Sequence, residues 1–197
     1  VAIYLAEIAS SRIHKFLKPL IELLAGIPSV VYGFFGLVVV VPFVQKVFNL
    51  PVGETALAGS LVLAIMALPT IITIAEDSIR NTPISMKEAS LALGGTHWQT
   101  IYRVIIPYSS SGILAAIILG IGRAIGETMA VTMLIGNSNV IPKSIFDTGN
   151  SMASLIANQF GEADGLKLSA LIAIGLILFI LTGIINSIGK FIIKKMS

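Results

Sequence analysis

"GILAAIILGIGRAIGETMAVTMLI", Gly112 to Ile135, is an apolar run long enough to cross a lipid bilayer as a helix, and it carries two opposite charges. A helix needs about 20 mostly apolar residues to span the hydrocarbon core. At ~1.5 Å per residue, Arg123 falls roughly 17 Å into this run, near the middle of a core ~30 Å thick. A charge at that depth costs at least ~2.5–3.5 kcal/mol. Glu127 follows four residues later, and residues i and i+4 share a helix face. The two side chains are therefore expected to pair and to face the interior of a helix bundle or water. Gly122, Gly126 and Ala130 form a small-residue ridge beside them, which permits close helix contact.

Three further runs are long enough to span: Leu20–Val44, Thr55–Ala75 and Leu168–Ile188. Residues 1–9 read as the tail of an earlier span. The chain begins "VAIYLAEIAS" with no basic leader, so upstream sequence is expected. The whole chain agrees with this reading. Of its 197 residues, 55% are hydrophobic and 12% charged, and mean hydropathy is +0.95. Soluble domains carry about 25% charged residues. The expected fold is all-α, a polytopic transmembrane bundle of four full spans in a single domain, residues 1–197. There is no cysteine, and the two histidines, His14 and His97, stand far apart. Disulfide, thiolate and histidine metal sites are not expected, and neither is nucleic acid.

The basic residues orient the chain. Arg12, Lys15 and Lys18 precede the first span, Arg80, Lys87 and Arg103 lie between the second and third, and Lys190, Lys194 and Lys195 end the chain. The opposite side carries Lys46, Lys143 and Lys167. The richer side is expected to be cytoplasmic. That places the loop at 76–107 inside and the polar, slightly acidic loop at 137–165 outside. Breaks at "AGIPS" (Ala25–Ser29), Pro42 and Pro69 are expected to kink helices within the bundle.

The loop at 76–107 has its own signals. "SMKEASLAL" suits a helix with Ser85 as cap and Glu88 as its capping-box partner. Gly94–Gly95 is a stop. "THWQTIYRVI" starts a second helix with Thr96 as cap and Gln99 in the box position, and Pro107 is expected to close it. A short helix pair projecting from the membrane suits a partner's groove, or is simply an ordered loop.

The charged pair also has two readings. It fixes packing as a buried ion pair, or it lines a substrate route. Arginine suits an oxyanion because its planar fork makes bidentate hydrogen bonds and stays protonated. Glu127 would hold Arg123 and weaken its grip, since a site that binds too tightly cannot release. Thr128 and Thr132 extend the polar stripe as further donors.

Two motifs resemble a known family. Glu88-Ala89-Ser90, then Gly94, then Val104-Ile105-Ile106-Pro107 is similar to the EAA loop of ABC importer permeases: E-A-A, three residues, G, nine residues, I-x-L-P. The spacing matches throughout, and Ser90, Val104 and Ile106 are conservative departures. "GIGRAIGETMAVTMLIGN" resembles the signature of phosphate-specific ABC permeases. "ELLAGIPSVVYGFFGL" (Glu22–Leu37) and "IPKSIFDTGNSMASLIANQFGEA" (Ile141–Ala163) are closer to the PstC-like than to the PstA-like branch. The similarity runs from "VAIYLAEIAS" to the final span. It implies the type I ABC importer permease fold, usually of six spans, with one span and most of another lying upstream.

The resemblance also implies a function: a permease subunit of an ATP-driven phosphate importer in a prokaryotic plasma membrane, the inner membrane if Gram-negative. Its partners would be a PstA-like permease, a PstB-like ATPase dimer and a PstS-like phosphate-binding protein. Arg123 and Glu127 would serve phosphate passage, with Thr128 beside them. Glu88, Ala89, Ser90, Gly94 and Pro107 would couple to the ATPase. No cofactor is expected on this chain, with ATP and magnesium on the partner, because it lacks G-x-x-x-x-G-K-[ST] and any G-x-S-x-G or zincin motif. The rivals are a permease for another oxyanion, an ion-coupled secondary transporter, which internal repeats would favour, and an intramembrane enzyme using Glu127 as base. The enzyme would need a second group at that depth. Glu22 is the other carboxylate in a span, and it lies near the cytoplasmic end.

Overall fold

A helix satisfies its own backbone, which is what lets uncharged runs of this length exist in lipid. The computed structural model describes residues 1–196 and is helical almost throughout. After a wide π-helical turn at Tyr4–Ile8 come α1 (Ser11–Gly26), α2 (Ser29–Val47), α3 (Ala56–Arg80), α4 (Ile84–Ala92) and α5 (His97–Ile125). Then follow α6 (Met129–Leu134), α7 (Met152–Gln159) and α8 (Gly165–Met196). Among the described residues, α2, α3, α5 and α8 are long and apolar enough to cross a membrane. Backbone pairing between extended residues is confined there to one bridge, Gly136–Gly149.

Several boundaries differ from the expected ones, each for a local reason. The run Leu20–Val44 is split. Pro28 cannot donate and disfavours helix at Ile27, so Leu20–Gly26 belong to α1 and the span is α2, which starts at Ser29. The α1 helix buries no side chain. It is amphipathic, with Ile13, Phe16, Leu20 and Leu23 exposed. The α3 helix runs on past Ala75 to Arg80. Ser85 does not cap α4, because Pro83 already precedes the first turn and no side chain caps it. Thr96 does cap its helix in a full capping box with Gln99. Pro107 does not end that helix. A π-helical turn at Ile101–Ile105 precedes Ile106, whose N–H reaches the Ile101 carbonyl, and the helix continues through the proline. The expected helix pair is thus one short helix, α4, followed directly by a spanning one.

The chain divides into two compact units, with α3, α5 and α8 contributing to both. The first comprises Val1–Ala25, Leu68–Ile121 and the chain from Ile185 on. Ile79, Ile101 and Ile105 form its core, with Ala2, Ile3 and Ala6 packed against them. At Gly112 the absence of a side chain lets α5 lie against Ser78, whose hydroxyl donates to the Ser109 carbonyl at 3.3 Å.

Glu76 of α3 is buried and gathers three basic side chains. Its Oε1 lies 2.8 Å from His14 Nε2 and 3.4 Å from Arg80 Nη1, and its Oε2 lies 3.0 Å from Lys18 Nζ. Lys18 also donates to Asp77 at 2.6 Å. That hydrogen bond, opposed by partial burial and helped by Glu76, raises the Lys18 pKa above the ordinary 10.5. A raised lysine pKa contributes stability below the ordinary value and loses it as pH climbs through the folded one. The bonds that tie α1 to α3 through Lys18 therefore persist through the neutral range.

The second unit comprises Gly26–Ala67 and Gly122–Ile184. Tyr32, Val41 and Val44 of α2, Ala58, Val62 and Met66 of α3, and Leu134 of α6 form its core. Lipid tails are as apolar as these side chains, so close packing rather than escape from water selects the contacts. Gly33 faces Ala130 and Met133 of α6, and Gly36 faces Leu134 and Val62. A Cβ on either would come within 3 Å of a neighbour. Of the expected small-residue ridge, Ala130 meets a facing helix.

The segment after α6 closes over the start of α3. Its Asp147 and Ile145 carbonyls accept from the N–H groups of Ala56 and Leu57, and Thr55 Oγ1 accepts from Ala58. Gly136 makes the turn at φ +81, where a Cβ would stand 2.7 Å from Thr148 Cγ2. Gly136→Ala should therefore cost about 1–3 kcal/mol through left-handed backbone and steric strain. The check is a lowered melting temperature of the purified protein in detergent.

Candidate functional site

The charged residues of the opening stretch lie in the second unit, where the helix stops. The α5 helix ends at Ile125, Gly126–Thr128 form a break, and α6 begins at Met129. The expected continuous span to Ile135 is therefore two helices, and Arg123 and Glu127 are not neighbours on one uninterrupted helix face. Arg123 occupies the last turn of α5, where the partial negative charge of the helix end favours a cation. The Glu127 carboxylate accepts the Ala130 N–H at 3.2 Å and so satisfies an otherwise open donor of α6. Both side chains are half-buried.

The two threonines do not act as the expected outward donors. Thr128 Oγ1 donates to the Gly126 carbonyl at 3.3 Å and Thr132 Oγ1 to the Thr128 carbonyl at 2.8 Å. Their oxygens can accept, which suits a bound water but repels an anion. The arrangement offers one positive group, a glycine-flanked break and a carboxylate engaged with backbone. It has no nucleophile–base pair for covalent work. Glu22, the second carboxylate required by an enzyme reading, is exposed on α1, outside the spanning helices.

The loop residues lie in the first unit, on and after α4. Glu88 and Ala89 are exposed, together with Ile84, Leu91 and Leu93, the last being 90% accessible. Ser90 turns inward, and its Oγ lies 2.9 Å from Thr100 Oγ1. The helix ends in a Schellman turn: Gly95 N–H reaches Ser90 O, Gly94 N–H reaches Leu91 O, and Gly94 sits at φ +84. A Cβ at Gly95 would stand 2.8 Å from Ser90 O, so both glycines are required by the geometry. An open groove of about 520 Å³ lies beside this turn, lined by Met86, Ser90, Leu93, Gln99 and Arg103. Pro107 stands in the first turn of the straight part of α5, beyond that groove.

Sequence reasoning missed Glu76 and Glu7. Glu7 is 7% accessible and accepts from Lys87 Nζ of α4 at 2.6 Å. The available signal was an acid at the end of an apolar run, close to bases on the same expected side. Among the described residues no His/Cys/Asp/Glu group could hold a metal.

The profile of the family described as binding-protein-dependent transport system inner membrane component matches residues 1–197. The phosphate transport system permease protein PstC of Pasteurella multocida is 40% identical over 214 residues, covering 99% of this chain and 67% of the relative. The PstC protein of Haemophilus influenzae is also 40% identical, covering 100% of this chain and 68% of its own length. A probable ABC transporter permease protein of Bacillus subtilis, YqgH, is 43% identical over 92% of this chain and 59% of the relative. The chain thus spans about two thirds of the length of these relatives or less. Among solved structures, the MetNI methionine ABC transporter in inward facing conformations gives TM-scores of 0.73 and 0.77 at 19% and 18% identity, covering 100% of this chain and 84% of the other. The fold is therefore that of a type I ABC importer permease.

Proposed function

This chain belongs to the family of binding-protein-dependent transport system inner membrane components, and from that premise we propose that it is the PstC-like permease subunit of an ATP-driven importer of inorganic phosphate. The observation that carries the ATP-driven part is α4. It is a short helix that shows Glu88, Ala89 and Leu91 to solvent, with Leu93 just past its end, while Lys87 and Ser90 anchor it from behind. A helix held on one face and bare on the other suits a groove on a partner. The partner is an ATPase dimer of PstB-like type, which carries the ATP and magnesium. Gly94 ends the docking helix, and Pro107 stands where the chain enters the spanning part of α5.

Alternating access would then be a two-state change of the helices, biased by nucleotide on the partner. The basic side would face the cytoplasm of a prokaryote. The 137–165 segment would receive a PstS-like binding protein outside, and a PstA-like permease would complete the pathway. Phosphate is supported by the relatives' names and by Arg123, whose fork matches a tetrahedral oxyanion. Other oxyanions share that geometry, which makes them the second reading.

The test is ATP-dependent uptake of radiolabelled phosphate by proteoliposomes holding the full-length protein with its partner permease, ATPase and binding protein. Sulfate and molybdate are run as competitors. Uptake that requires ATP and yields only to excess phosphate is the expected result. Equal competition by sulfate would move the assignment to another oxyanion. Uptake driven by an ion gradient without the ATPase would make the chain a secondary transporter.

A further inference from the structure

Glu7 sits in an apolar turn, "YLAEI", whose neighbours Ala2, Ile3 and Ala6 pack on the core of the first unit. A carboxylate with 7% of its side chain accessible is costly there unless it is paired. An apolar side chain would pack at that place without the cost. Its partner is Lys87, 80 residues away on α4, at 2.6 Å. Lys87 and Ser90 are three residues apart and share the inner face of α4. They hold two different elements: Lys87 the N-terminal turn, and Ser90 the first turn of α5 through Thr100. The N-terminal turn leads directly into α1, which Lys18 and His14 tie to Glu76 and Asp77 of α3.

We propose that the Lys87–Glu7 ion pair is a strut that carries displacement of α4 into the N-terminal segment, making both of them positioning residues for ATP-coupled transport. This rests on the reading of α4 as the element docked to the ATPase. Apolar contacts slide, whereas a short charge-assisted hydrogen bond is directional and resists stretching. A push on α4 is thereby shared between α5, through Ser90, and the segment leading to α1, through Lys87. Without the strut α4 moves α5 alone, and the N-terminal segment lags.

The test uses the complete transporter in proteoliposomes and compares Lys87→Glu, Glu7→Lys and the double reversal. Three quantities are read: ATPase retained on purification, ATP hydrolysed, and phosphate taken up per ATP. Each single reversal should assemble and hydrolyse ATP while uptake per ATP falls about ten-fold. The double reversal should return it close to wild type. Wild-type ratios in the single variants overturn the strut, and so does a double reversal as poor as the singles. If a reversal prevents assembly, Lys87→Gln and Glu7→Gln replace it. An unchanged ratio in both overturns the proposal, and a lowered ratio supports it. Leu93→Asp on the bare face distinguishes the underlying reading. If the ATPase still binds and couples in that variant, docking by α4 is wrong, and the strut falls with it.

Discussion

Arg123→Gln is expected to lower phosphate uptake by about 10- to 100-fold while the complex still assembles. A hydrogen bond to a charged group is worth about 1.5–3 kcal/mol, and each 1.4 kcal/mol is about a factor of ten. The expected effect is large because, on the proposed reading, Arg123 is the cation in the last turn of α5 beside the break that meets the anion. The Ala130 N–H of α6 is taken by Glu127, and the hydroxyl protons of Thr128 and Thr132 are spent on backbone carbonyls. Arg123→Lys keeps the charge but loses the fork, so its uptake should lie between the two. Glu127→Gln should act in the opposite sense on phosphate affinity, read as a tighter Kd rather than as uptake. Its amide oxygen can still accept from Ala130, but the counter-charge is gone, so the anion should bind more tightly and leave more slowly. Normal uptake by Arg123→Gln would remove Arg123 from the pathway and leave it a helix-end charge that stabilises α5.

Glu76→Ala is expected to destabilise the protein by about 3 kcal/mol or more, the usual cost of removing one partner from a buried ionic cluster. The carboxylate is 1% accessible and serves His14, Lys18 and Arg80 together. Arg80 is half exposed, so water screens its share and it loses least. His14 and Lys18, both on α1, lose the anchor that holds that helix to α3, although Lys18 keeps Asp77. The expected reading is a fall in melting temperature of roughly 6–12 °C for the purified transporter in detergent. Glu76→Gln keeps the shape and one acceptor, so it should fall less. A melting temperature for Glu76→Ala equal to that of wild type would show that the cluster contributes nothing net to stability.

What the sequence determined by itself is whatever depends on neighbours in the chain. Apolar runs named the spanning segments, because lipid selects long uncharged helices on composition alone. The end of α4 was legible in Gly94–Gly95, because a left-handed turn needs glycine. The cap of α5 was legible in Thr96 and Gln99, because a capping box closes within four residues. The amphipathic α1 was not legible: Leu20–Gly26 read as part of the first span, because an apolar run does not show which of its residues continue a basic helix that lies outside the spans and stops before Pro28. Where this reading went astray, a local rule met a competing demand. Pro107 removes a donor without ending the helix, because a wider turn at Ile101–Ile105 absorbs the loss. The span expected to run on to Ile135 stops at Ile125, because Gly126–Thr128 break the helix and the Glu127 carboxylate accepts the Ala130 N–H at the start of α6. The tertiary structure alone decided the pairings over long separations: Glu7 with Lys87, Glu76 with His14 and Lys18, and Gly33 against Ala130. A buried charge takes whichever opposite charge the packed helices bring within reach, and that partner is set by packing in three dimensions, which no spacing along the chain encodes.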